Sequence, residues 1–280
     1  MIKKRLGTAA IAFVLLLGIS ILFYPIISNW IAQKNRTLEI IKYDDSVRRM
    51  EKELLLDAWA QAEEYNRNRT EWKSEDAFSG EVKKPLPDEY LAVLNIESMM
   101  GYVEIPKIKV YLPIYHGASE DVLKKGAGHL HQSSLPVGGI GNHAVITGHT
   151  GLPTAKLFTG LDKLIKNDIF YLHILDRTFA YRVDKIAVVE PEDIDSLFPD
   201  EGEDYVTLIT CTPYGINSHR LLVRGKRTEI PIDGTERPAG IRGSGDDNMR
   251  CLVIVLLFLT LIILITHPLL KRKKARKKYG

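Results

Sequence analysis

The stretch that most constrains this chain is a pair of strand-like segments divided by a short loop. Residues 206–211 (Val-Thr-Leu-Ile-Thr-Cys) are β-branched and apolar. They read as a strand with Thr207, Ile209 and Cys211 on one face and Leu208 and Thr210 on the other. Residues 221–223 are again strand-like, and the intervening 212–219 carry Pro213, Gly215 and Asn217, which favour a turn. The two segments are therefore expected to form an antiparallel hairpin. A hairpin sets the end of its first strand beside the start of its second, so Cys211 and Arg220 should meet at one rim of a sheet. A guanidinium there can favour a thiolate or hold the oxygen of a substrate carbonyl. The plain alternative is a buried strand cysteine next to a surface arginine, because Cys is among the most buried residue types.

What surrounds the hairpin argues for a reactive thiol. The only other cysteine of the 280 residues, Cys251, opens a twenty-residue apolar run to Leu270 that is long enough to cross a bilayer and is followed by seven Lys and Arg. Near the other end, Lys3, Lys4 and Arg5 precede residues 6–27, which are uncharged. This run reads as a retained span rather than a cleaved signal, since it is long, carries Pro25 and Trp30 at its end, and lacks a small-x-small cleavage site. Basic flanks at both ends place both termini in the cytoplasm and the middle of the chain outside. Three basic residues lie in the N-terminal tip and eight from Arg250 onward; without them the net charge of +3 becomes −8 over residues 31–249. An acidic exported domain argues against nucleic acid as a partner. That domain holds one cysteine, so it forms no internal disulfide, and a lone thiol in an oxidising compartment is a liability unless its reactivity is used.

In chain order, residues 33–68 place Leu38, Ile41, Val47, Met50, Leu54, Leu55, Ala58 and Ala62 at helical spacing, with no Pro or Gly. Such a segment could be a stalk, a helix packed on the core, or both. Residues 69–88 lose all periodicity and carry Trp72 and Phe78 in a loop of unusual length, either functional or a mobile linker. A short helix is expected around 88–95. Then residues 101–105, 109–115, 144–147, 169–175, 177–189 and the terminal hairpin read as strands between Gly, Pro and Asn turns. Many short strands with few helices predict a mainly β domain, a closed barrel or a sandwich.

A second landmark is Thr147-Gly148-His149, where a strand runs into a Gly-rich turn and sets an imidazole at a strand end. If that end lies beside Cys211 and Arg220, nucleophile, acid or base, and cation share one rim. His143 stands on the same strand face and is the rival for this role. His129 and His131 lack the carboxylate or Cys cluster that metal binding requires, so no metal site and no cofactor is expected.

These residues resemble the sortases. Thr207-Leu208-Ile209-Thr210-Cys211 matches the family's Thr-Leu-x-Thr-Cys signature, Thr147-Gly148-His149 is similar to its histidine segment, and Arg220 stands where its arginine follows the cysteine. The second apolar run is most similar to class C, the pilus-assembly sortases of Gram-positive bacteria. The resemblance implies a sortase-type closed β-barrel with an N-terminal helix and a lid loop, flanked by two transmembrane helices. Its parts would be a cytoplasmic tip and first span (1–30), an extracellular helical segment (31–68), a lid loop (69–88), the catalytic barrel (89–232), a Gly-rich tether (233–250), the second span (251–270) and a basic tail (271–280).

It further implies that Cys211, His149 and Arg220 are catalytic. Class C lids carry an Asp-Pro-aromatic motif; Asp76-Ala77-Phe78 is similar but has Ala in the middle, so its backbone is less stiff. Carried over, Asp76 faces Arg220 and Phe78 covers Cys211, with Trp72 a possible substitute for the aromatic. The implied partners are pilin subunits bearing a Leu-Pro-x-Thr-Gly-like sorting signal and an acceptor Lys, together with the lipid bilayer. Two other classes stay open from the residues: a cysteine hydrolase or a sortase with another amine acceptor, and a tail-anchored sortase substrate. The last is disfavoured because no Leu-Pro-x-Thr-Gly precedes Cys251, and the Leu-Pro-Thr at 152–154 continues with Ala155.

Overall fold

Strands form where β-branched and aromatic residues alternate between Gly, Pro and Asn turns, and each then hydrogen-bonds two neighbours. The computed structural model describes residues 2–69, 78, 85–193 and 197–231. Among these, β1 (Gly101–Ile105), β2 (Val110–His116), β3 (Ala127–His129), β4 (Asn142–Thr147), β5 (Ile169–Ile174), β6 (Arg177–Val189), β7 (Asp204–Thr212) and β8 (His219–Thr228) close into one barrel. The order around it is β1-β2-β3-β4-β7-β8-β6-β5, with β5 returning to β1. Of the two β architectures left open by the sequence, the barrel is the one adopted. Closure leaves no strand edge open to another chain.

β3 carries no strand signal of its own. Ala127-Gly128-His129 has no β-branched residue, and its neighbours make it a strand: it pairs parallel to β2 and antiparallel to β4. Gly128 is required there, since a Cβ on it would sit 2.3 Å from the Gly117 carbonyl oxygen.

The face of β7 that carries Val206 and Leu208 lines the barrel interior. Gly225, register partner of Val206, leaves room there for Phe170 and Tyr181, whose rings stack 5.7 Å apart. The opposite face, with Ile209 and its partner Leu222, packs outside the barrel against Ala118, Leu123, Leu130, Val145 and Leu197. Ala118 and Leu123 flank and belong to a short helix, α4 (Glu120–Lys125), whose N-terminus is capped by the Ser119 hydroxyl accepting from Val122 N–H. Period-two alternation puts Cys211 on this outer, covered face.

Residues 33–68 divide into two helices. The first, α1, runs Ile2–Arg49, and the second, α2, Lys52–Asn68. No Pro or Gly causes the break. The Arg48 and Arg49 side chains donate back to the Asp44 and Asp45 carbonyls, satisfying the helix end, and Glu51 adopts an extended backbone that starts α2.

α1 lies flush on the barrel. Lys156 N–H donates to Asn29 Oδ1 (2.8 Å), the Tyr115 hydroxyl to Glu39 (2.6 Å), and Ser46 to Glu97 (2.9 Å). Tyr43 is fully buried: its hydroxyl donates to the Met100 carbonyl (3.0 Å) and accepts from Leu175 N–H (2.8 Å). α2 is strapped down by Trp59, which donates to Asp176 (2.8 Å), sits edge-on to Phe179 and carries the Arg177 guanidinium on its face. Farther along, Asn66 both donates to and accepts from the Leu135 backbone. The expected helix near 88–95 is a shorter one, α3 (Asp88–Ala92).

Among the described residues no helix is long and apolar enough to cross a membrane. The run 251–270 lies outside them, so anchoring at either end rests on the sequence pattern. Tyr43→Phe removes one hydroxyl and strands a buried carbonyl and a buried N–H. It should cost about 2 kcal/mol, read as a lower urea midpoint at unchanged slope.

Candidate active site

β7 pairs antiparallel to β8, and Cys211 is the register partner of Arg220. Both are buried, at 8% exposure each, with Cys211 present as a thiol. Arg220 closes the β7–β8 loop by donating from one nitrogen to the Asn217 and His219 carbonyls, each at 3.1 Å. The hairpin expected from 206–223 is thus present, and it sets thiol and guanidinium side by side.

The histidine segment reaches the same rim through the other edge of β7. β4 pairs parallel to β7, with Thr147 opposite Ile209. Beyond the strand end, Gly148 N–H donates to the Ile209 carbonyl (3.0 Å), and the Gly148 carbonyl accepts from the Thr210 hydroxyl (2.7 Å). His149, the next residue, has its own carbonyl fixed by Phe158 N–H (3.0 Å). A Cβ on Gly148 would lie 2.7 Å from the Phe158 ring, so this position is held to Gly by packing. His149 is anchored next to Gly148 and Cys211 next to Thr210, and one hydrogen-bonded step joins the two.

Phe78, from the loop expected to act as a lid, lies between the other two groups. Its ring is 5.6 Å from the His149 ring and 5.1 Å from the Arg220 guanidinium carbon, and it packs on the apolar cluster that includes Ile209 and Leu222. A cation over an aromatic face contributes about 0.5–2 kcal/mol, more as water is excluded. The other two residues expected of the lid, Asp76 and Trp72, lie outside the described residues.

His143, the rival histidine, belongs to the core. It is fully buried, with Nε2 2.7 Å from the Thr207 hydroxyl and Nδ1 3.1 Å from the Phe198 carbonyl. His129 is also enclosed, between the Tyr90 hydroxyl and the Ser134 carbonyl, each at 2.8 Å. Among the described residues no group of three or more His, Cys, Asp or Glu could hold a metal ion.

Two neighbours of the site carried no sequence signal. Glu120, at the start of α4, places a carboxylate oxygen 3.3 Å from His149 Nε2. It lies 29 positions from His149, and no motif spacing joins them. Tyr214, exposed on the β7–β8 loop, lies over Gly151, where φ is +77° and a Cβ would come within 3.1 Å of its ring. The loops after β4 and β7 therefore face each other across the rim.

Burial pushes His143 down to about 4 and His129 down to about 3. Both stay neutral when folded while the unfolded chain binds protons below about pH 6.5. Their contribution is fully present above that pH and is lost as pH falls toward the folded values. Stability should fall by up to roughly 1.4 kcal/mol per pH unit for each between about pH 6 and 4. Urea denaturation across that range should show the slope, and His143→Asn should reduce it.

A thiol, an imidazole and a guanidinium gathered at one rim of a closed barrel define a cysteine acyl-transfer enzyme. The sortase domain matches residues 103–228. The chain is 50% identical to the sortase C of Streptococcus pneumoniae, over 69% of this chain and 98% of that one, with a TM-score of 0.65. It is 41% identical to sortase C1 of Streptococcus agalactiae, over 71% of this chain and 99% of that one, with a TM-score of 0.66. Among curated sequences, sortase A of Bacillus anthracis is 28% identical over 163 residues, covering 58% of this chain and 74% of that protein. The chain belongs to the sortase family, and its solved relatives named here are sortase C enzymes. It is a sortase-type cysteine transpeptidase.

Proposed function

We propose that this sortase is a pilin polymerase, anchored in the membrane at both ends with the barrel outside. Cys211 is its nucleophile, His149 its acid and base, and Arg220 its oxyanion and substrate holder. The observation that carries the reading is the Cys211–Arg220 register pair, with Phe78 touching both Arg220 and the His149 ring. Pilin as substrate is supported by the S. pneumoniae sortase C, studied for its pilin substrate specificity, and by a pilus-related sortase C of Group B Streptococcus. Anchoring is supported by the apolar runs 6–27 and 251–270 with their basic flanks.

In the first half-reaction the Cys211 sulfur attacks the Thr carbonyl of a Leu-Pro-x-Thr-Gly-like signal. The S–C bond forms, the Thr–Gly C–N bond breaks, and the proton held by His149 passes to the leaving amine. In the second half-reaction a lysine amine of another pilin attacks the thioester. The new C–N bond forms, the C–S bond breaks, and His149 takes the amine proton. Arg220 donates from a planar fork to the oxygen that turns negative in both steps, and favours the thiolate before the first and after the second. A thiol suits this chemistry because it needs little activation and leaves an acyl group that an amine can take.

Phe78 occupies the space next to His149 and Arg220 that a substrate carbonyl needs, so the lid must leave before the peptide enters. Because substrate enters only when Phe78 is out of the site, Phe78→Ala should raise peptide cleavage, roughly tenfold where the competent fraction is about one-tenth.

The deciding experiment incubates the protein with a sorting-signal peptide and a pilin carrying candidate lysines, and reads both products by mass spectrometry. An intermolecular Lys isopeptide that disappears in Cys211→Ala is the expected result. Cleaved peptide without a new bond, persisting in Phe78→Ala, would make the protein a hydrolase. No Cys211-dependent product from Phe78→Ala with cognate pilin would remove the polymerase reading. Arg220→Lys keeps the charge but loses the fork, and should lower turnover at least about a hundredfold.

A further inference from the structure

An imidazolium has two N–H donors, and a histidine that moves a proton at one nitrogen needs an acceptor for the other. Neither Cys211 nor Arg220 supplies that acceptor: one is the reacting atom and the other has only donors. His149 Nε2 is shut off from water and makes no well-directed hydrogen bond among the described residues. The group that faces it is the Glu120 carboxylate, 3.3 Å away, close enough for an ion pair but off the direction of a hydrogen bond. The His149 side chain is 18% exposed and that of Glu120 is 63% exposed, so the carboxylate can turn to meet a ring that cannot.

Glu120 is held where it can do this. Ser119 caps α4 through both its hydroxyl and its carbonyl, the latter accepting from Leu123 N–H (2.9 Å). Ala118 and Leu123 sit in the same apolar cluster as Ile209 of the cysteine strand. Lys124, one turn along α4, reaches the other carboxylate oxygen at 3.4 Å and limits its swing. The helix thus packs beside β3, with Leu123 against Gly128 and in the apolar cluster that also holds Ile209, and presents its first acidic residue to the imidazole. Phe78 lies against the ring itself and makes no claim on Nε2.

We propose that Glu120 is the positioning residue for His149. Its carboxylate accepts from Nε2–H and commits Nδ1 to the proton exchanges with sulfur and amine. This rests on His149 being the acid and base of the reaction. It supplies the third member that orients a catalytic base, a task Arg220 has no acceptor to perform.

The test uses the full-length chain labelled with 15N-histidine, with His149 assigned by its loss in His149→Gln. Long-range 1H–15N spectra report which ring nitrogen carries the proton. The wild-type protein should show the Nε2–H tautomer, and Glu120→Gln, which keeps a carbonyl acceptor, should preserve it. Glu120→Ala should raise the Nδ1–H form several-fold and lower kcat roughly tenfold at unchanged KM, with most of the rate restored in Glu120→Gln. Identical tautomer populations in the wild type and Glu120→Ala would overturn the assignment. A wild-type protein that processes no peptide would instead sink the catalytic reading, while the tautomer comparison would still decide what Glu120 does to the ring.

Discussion

Each group proposed to react takes its position from the pairing of β7 on both edges. The antiparallel edge brings Arg220 opposite Cys211, and the parallel edge brings β4, whose continuation is His149. Side chains alternate faces along a strand, so a slip of one residue on either edge would turn Cys211 into the barrel interior. Polar ties resist that slip. The Thr210 hydroxyl holds the Gly148 carbonyl, and Thr207, three residues back, meets His143 from β4 across the outer face. His143 thus ties β4 to β7 in the register that brings His149 to the rim.

The architecture was largely legible because local pattern and tertiary need agree. β1 and β6 fall at the expected residues, and the terminal hairpin was readable from its β-branched run and its Pro, Gly and Asn loop. Where the reading failed, the cause lies in neighbours far away in sequence. β3 is a strand because two other strands pair with it, against its own small, Gly-containing composition. At the break between α1 and α2 arginine side chains fold back onto the last-turn carbonyls and Glu51 turns extended, and no breaker residue announces it.

The site divides the same way. Cys211 and Arg220 were joined by hairpin logic, while His149 could be joined to them only once β4 was known to lie beside β7. His143 was indistinguishable from His149 by position on the strand. Burial and the Thr207 contact separate them. Glu120 was invisible because a six-residue helix, held in the apolar cluster that also contains Ile209, brings it to the imidazole.

The seating of α1 bears on where the enzyme can work. From Asn29 through Tyr43 to Ser46 the helix touches the barrel, a bound length of about 25 Å at the α-helical rise. The first of these contacts comes two residues after the apolar run 6–27 ends. On the anchoring proposed above, no free stalk remains between bilayer and barrel. The rim then sits at a fixed height, and its partners are found by lateral diffusion in a thin layer over the membrane. Encounter is a two-dimensional search, in which surface density rather than bulk concentration sets how often a thioester meets an amine.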